Sequence, residues 1–199
     1  MQLKSRLAVS SVLVFFLSFP VYSQSIDSVF QELKTTSEKY DVKGTVCEQV
    51  ARLELEGQYP KDEYSVQNGI AYTQHGRTLG ELDVVVFRKS DHKVILIGEV
   101  KCWQDLEGAR KKAVHQRANF RYYLQKGGQG IDFYKTADPS IHFSPRQFAQ
   151  VPPFILISQE EGCSLGFDLE LPFTLDELRQ LRNMLLQCQD TGECSRPRH

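Results

Sequence analysis

Gly80-Glu81-Leu82-Asp83 and, one apolar run later, Glu99-Val100-Lys101 are the stretches on which the reading of this chain turns. Residues 82–87 and 94–98 are strongly apolar, and the polar segment Lys89-Ser90-Asp91-His92-Lys93 separates them. Two apolar runs bounded by such a turn predict a β-hairpin. This hairpin carries acids and a lysine among valines and isoleucines. Burying a carboxylate there is costly unless something pairs it. A divalent cation would do so.

Register decides whether these groups can act together. With the turn centred on Asp91, Asp83 faces Glu99 and Glu81 faces Lys101. Side chains alternate along a strand, so all four are expected on one face at one end of the hairpin. Opposed like charges destabilise a strand pair, so Asp83 and Glu99 call for a cation between them. Oxygen donors of this kind suit Mg²⁺ or Mn²⁺. Lys101 could position or deprotonate an attacking water, or stabilise charge on a phosphate. The plainer alternative is an ion pair on a strand, with no chemistry attached.

Outward from the hairpin, residues 26–56 predict helix, with a break at 41–44 that would divide it in two and an end at Gly57. Residues 64–73 predict a first strand, and His75-Gly76-Arg77 with Gly80 a loop. Residues 105–126 predict a long helix closed by Gly127-Gly128, and 139–153 an irregular segment. Phe154-Ile155-Leu156-Ile157-Ser158 is a short, wholly apolar strand of the buried kind. Thr174 and Glu177 form a capping box at the start of a last helix, whose buried stripe is Leu178, Leu181, Leu185 and Leu186. A strand that follows a helix is most easily placed parallel to a neighbour. The expected class is α/β, a mixed sheet flanked by helices.

The hairpin resembles the core of the PD-(D/E)xK nuclease superfamily, which carries an acid on one strand and (D/E)-x-K on the next. Asp83 matches the first acid, Glu99 the second and Lys101 the lysine. Leu82 stands where many members have proline. Lys43-Gly44-Thr45-Val46-Cys47-Glu48 is similar to the K-G-x-x-x-E pattern on the helix before the sheet, as in Holliday-junction resolvases. RecB-like members place a glutamine on the helix after the hairpin and a tyrosine four residues on; here these are Gln116 and Phe120. The resemblance implies a restriction-endonuclease-like αβββαβ core. It implies catalytic roles for Asp83, Glu99, Lys101, Glu48 and Gln116. It also implies Mg²⁺ or Mn²⁺ held by Asp83, Glu99, Glu48 and the Val100 carbonyl.

The helix after the hairpin is rich in cations, and Arg110, Lys111, Arg117 and Arg121 are candidates for binding phosphates, with Arg77 from the preceding loop. Nothing specifies bases, so weak sequence preference is expected. The formal net charge of -1 over 199 residues argues against a strongly basic nucleic-acid binder, so any basic surface must be local.

Lys4 and Arg6 precede an apolar segment, residues 7–19, and Val21-Tyr22-Ser23 offers a cleavage site. Residues 1–23 therefore read as a secretory signal peptide, and 24–199 as one domain. That places the mature protein in the periplasm or outside the cell, without stable membrane association. Of the 5 cysteines, Cys188 and Cys194 flank a turn-like segment and are the first choice for a disulfide. No spacing suggests zinc.

The expected function is an exported, metal-dependent nuclease hydrolysing phosphodiester bonds, with DNA the first-choice substrate. A homodimer is left open. The alternatives are a non-catalytic nucleic-acid-binding module on the same fold, and an envelope protein in which Glu99 and Lys101 merely pair.

Overall fold

A computed structural model describes residues 25–126, 130–148 and 152–197. The expected signal peptide and the Gly127-Gly128 helix end lie outside them. Four helices surround one sheet: α1 (Ile26–Leu33), α2 (Thr45–Gln58), α3 (Leu106–Gln125) and α4 (Leu175–Thr191). The strands are β1 (Tyr64–Gln74), β2 (Arg77–Arg88), β3 (Val94–Val100), β4 (Ile131–Lys135), β5 (Asp138–Phe143), β6 (Phe154–Ser158) and β7 (Leu169–Glu170). They form a 7-stranded sheet in the order β5-β4-β1-β2-β3-β6-β7. The β3–β6 and β6–β7 pairs are parallel and the others antiparallel, so the sheet is mixed.

Each sheet face has its own core. On one, Val84, Val86 and Val100 pack with Val50, Leu53, Leu178 and Leu181 from α2 and α4. On the other, Val85, Phe87 and Ile97 pack with Ala109, Ala113 and Phe120 from α3. Alternation in β2 and β3 supplies both layers at once, which is why these central strands read as unbroken apolar runs.

Several elements depart from the expectations above. The first helical stretch is two helices, but the gap between them runs from Lys34 to Gly44, longer than predicted, and α2 passes through Gly57 to Gln58. The loop expected at 75–80 is only a tight turn. His75 and Gly76 take positive φ, of 50° and 74°, and Arg77 to Gly80 already belong to β2. Gly80 is needed there because a side chain would collide with the Tyr72 ring. Strands β4 and β5 were not foreseen, and β5 lies in the segment expected to be irregular. Pro139 is tolerated because β5 is an edge strand. The last helix has the expected cap: Thr174 accepts from the Glu177 amide, and the Glu177 carboxylate accepts from the Thr174 amide.

Candidate active site

The β2–β3 register matches the hairpin arithmetic where it matters. Val84 pairs with Gly98 and Val86 with Leu96, with a bulge only beyond, at Phe87. Extending that register sets Asp83 against Glu99. The ladder ends there because Asp83 Oδ2 takes over as acceptor for the Val100 amide, at 2.7 Å.

The four-residue face does not survive intact. Val84 and Val86 face α2 and α4, yet Leu82 joins the α3 core, as do Val85 and Phe87. Strict alternation therefore breaks between Leu82 and Val84, at Asp83. Gly69, opposite on β1, has φ +60°, and β1 changes face at the same place. Glu81 is consequently exposed and accepts from the Thr136 hydroxyl at 2.8 Å, rather than facing Lys101.

Asp83, Glu99 and Lys101 do come together. The Lys101 ammonium donates to Asp83 Oδ2 at 3.2 Å, Glu99 Oε1 at 2.5 Å and the Val100 carbonyl at 2.9 Å. Three of the four groups that the resemblance assigns to a metal thus meet one ammonium; the fourth, Glu48, makes no hydrogen bond to it among the described residues. Lys101 is anchored in turn by the β3–β6 pairing: its amide donates to the Ile157 carbonyl and its carbonyl accepts from buried Ser158. Glu99 is 0% exposed, and its Oε2 has no hydrogen-bond partner among the described residues.

Glu48 approaches from α2, and three features fix its place. Gly44, with φ 102°, turns the chain into the helix, and the Glu48 carboxylate folds back over it. The Asn68 amide group donates to the Glu48 carbonyl at 2.9 Å. Cys47 is joined by a disulfide to Cys102, just past Lys101.

Electrostatics reflect an excess of acids. Burial, then the charge of Asp83, pushes the Glu99 carboxyl up to about 8, although Lys101 opposes this. Burial, then Asp83 and Glu81, pushes Glu48 up to about 8 as well. For Lys101, burial works against the charged form but Asp83 and Glu99 outweigh it, so its pKa is raised. The Tyr72 hydroxyl is raised to about 12, by burial and then by the charge of Glu99.

A Mg²⁺-like ion calls for hard oxygen donors. Among the described residues Glu99 Oε2 is a buried hard donor without a hydrogen-bond partner, and the Asp83 and Glu99 carboxylates share a single ammonium, a donor set whose chemistry fits a hard cation. Among the described residues no group of three or more His, Cys, Asp or Glu is arranged to hold a metal outright. Ligation would rest on Asp83, Glu99 and the Val100 carbonyl, which suits an ion that keeps several waters.

The remaining sequence-predicted residues scatter. Gln116 is half-buried on α3, and its Oε1 is also buried without a partner among the described residues. Arg110 donates to the Gly166 carbonyl, and Arg117 to the Phe154 carbonyl while pairing with Asp168 at 3.8 Å; both tie α3 to the rest of the fold. Arg77, Lys111 and Arg121 are exposed and line no part of the cleft beside Lys101. That cleft, of about 550 Å³, is bounded by Glu48, Lys101, Trp103 and the cations Lys43, Lys112, Arg179 and Arg182. Lys43 and Lys112 stand in stretches that the sequence singles out, but their meeting with Arg179 and Arg182 was not foreseen, because segments far apart in the chain supply the four. Cys188 and Cys194 are joined, and Cys163 is free and exposed. Comparison with protein-family models, curated proteins and solved structures finds no match for this chain.

Proposed function

We propose that the chain is a metal-dependent nuclease of the PD-(D/E)xK type, acting on DNA. The observation that carries this is the convergence of Asp83, Glu99 and the Val100 carbonyl on one point, where the Lys101 ammonium meets all three. The run α2-β1-β2-β3-α3 followed by β6 supports a restriction-endonuclease-like core, with the β4–β5 hairpin inserted before β6.

In this reading Mg²⁺ or Mn²⁺ would neutralise the acids and polarise the scissile phosphate. Asp83, Glu99 and the Val100 carbonyl would hold the ion, and Lys101 Nζ, beside all three, would orient the attacking water or meet charge developing on phosphate. Glu48 adds a carboxyl from α2, able to hold a proton or a water. The Tyr72 hydroxyl remains a neutral donor on the Glu99 side.

Two disulfides support an exported protein, since such bonds persist in oxidising compartments. Among the described residues no helix is long and apolar enough to cross a membrane.

One observation favours a second reading. Lys101 neutralises much of the acid charge by itself, as an ion pair without chemistry would. Cleavage assays decide between them. The purified protein should cut DNA only with Mg²⁺ or Mn²⁺, and Asp83→Ala and Lys101→Ala should each lose about 100-fold or more. Undiminished cleavage by both variants removes the assignment. Calorimetric Mg²⁺ binding that does not depend on Asp83 and Glu99 would leave only the ion pair.

A further inference from the structure

Trp103 is the chain's 1 tryptophan, and it sits in the cleft two residues past Lys101. It is 40% exposed, an uncommon state for so large an apolar ring. Its backbone is nevertheless held from two sides. Cys102, immediately before it, is bonded to Cys47 on α2. Gln159, at the end of β6 and only 6% exposed, donates its side-chain amide to the Trp103 carbonyl at 3.0 Å. An exposed ring on a fixed backbone is a prepared contact surface, because little ordering entropy remains to be lost on binding.

The groups around the ring are cationic. Lys112 Nζ stands 5.0 Å from the ring centroid. Lys43 is exposed and has no ion-pair partner among the described residues. Among the described residues Arg179 pairs only with exposed Asp176, a weak contact that a phosphate could displace. The Arg182 guanidinium is braced by the Tyr40 and Asp41 carbonyls, at 2.8 and 2.7 Å. A flat aromatic surface among cations suits a base flanked by phosphates. In a duplex the base faces are already covered by their neighbours, so such a ring is useful only to an unpaired strand.

We propose that this cleft is a subsite for an unpaired nucleic-acid strand. Trp103 stacks on a base, Lys43, Lys112 and Arg179 hold the adjoining phosphates, and the strand leads to Asp83, Glu99 and Lys101. The direction of the strand rests on the nuclease reading; the binding itself does not, so it is measured without metal.

The test is a titration of the full chain in EDTA with a short oligodeoxythymidylate, and with the same strand annealed to its complement, following Trp103 fluorescence. The single strand should quench the fluorescence and bind about tenfold or more tightly than the duplex. Lys112→Ala and Lys43→Ala should weaken binding and flatten its salt dependence. With a labelled strand, Trp103→Ala should lose about 5- to 150-fold in affinity, the equivalent of one stacked base, and Trp103→Phe should keep most of it. Should Trp103→Ala fail to fold, Trp103→Phe and the wild-type quenching still decide. Equal affinity for duplex, unquenched fluorescence on saturation, or unchanged binding by Trp103→Ala overturns the proposal. Calorimetry with Mg²⁺ separates the two readings. Metal binding without a Trp103 response removes the subsite alone, and strand binding without Asp83-dependent metal binding removes the nuclease alone.

Discussion

Glu99 shows what one residue contributes when the fold buries it fully and leaves one oxygen without a partner. Its carboxyl, like that of Glu48, moves from the ordinary 4.5 to about 8, first through burial and then through Asp83. Below about 4.5 the folded and unfolded chains are both protonated at these sites. Between 4.5 and 8 the unfolded chain releases protons that the fold retains, so metal-free stability falls as pH rises through that window and then levels off. The melting temperature in EDTA should therefore decline across this range, less steeply in Glu99→Gln. Mg²⁺ should restore more stability at the upper end than at the lower. An identical slope in Glu99→Gln would show that Glu99 titrates normally. The juxtaposition of Asp83, Glu99 and Lys101 was legible because one turn and the hairpin register suffice to bring them together. Glu81 misled because alternation breaks at Asp83, and only the β1 partner with its left-handed Gly69 reveals that.

Helix α2 matters at the next scale because its first turn delivers Glu48. Gly44 opens it with a backbone conformation that disfavours any side chain, and a Cβ there would lie 3.1 Å from Glu48 Oε1. Gly44→Ala should cost about 1–3 kcal/mol in urea denaturation and should also weaken Mg²⁺ binding measured by calorimetry. A stability loss with unchanged Mg²⁺ affinity would place Glu48 outside the ion site. The K-G-x-x-x-E spacing was readable, and Gly44 supplies a local reason for it. Helix α3 was equally readable as a helix, but its functional face was not. Charge density singled out Arg110 and Arg117, which the fold uses to bind its own carbonyls, whereas Lys112 reaches the cleft.

Across the whole molecule, the Cys47–Cys102 disulfide joins α2 to the end of β3 over a separation of 55 residues, whereas Cys188–Cys194 spans 6. The chain-entropy account makes the longer loop the stronger restraint. Removing the first by Cys47→Ala/Cys102→Ala should cost about 4 kcal/mol, and removing the second by Cys188→Ala/Cys194→Ala about 2. Thermal or urea unfolding of the two double variants checks this, and equal losses would contradict it. The first pair should also reduce Trp103 strand binding, because it loosens the backbone under the ring. That disulfide could not be read from spacing, since its two halves meet only after α2 has packed on the sheet. The 188–194 pair lies within one helix end and needs no such assembly.

By itself the sequence determined what depends on near neighbours. It marked the central hairpin and its register at Asp83 and Glu99, the parallel return of β6, and the Thr174–Glu177 cap. Tertiary structure alone decided the β4–β5 addition to the sheet, the exclusion of Glu81, the Cys47–Cys102 link and the cations that line the cleft. The reason is physical. Turn chemistry and period-two alternation act over a few residues. A cleft is assembled from α2, the β3–α3 segment and α4, whose contacts form only when both faces of the sheet are covered.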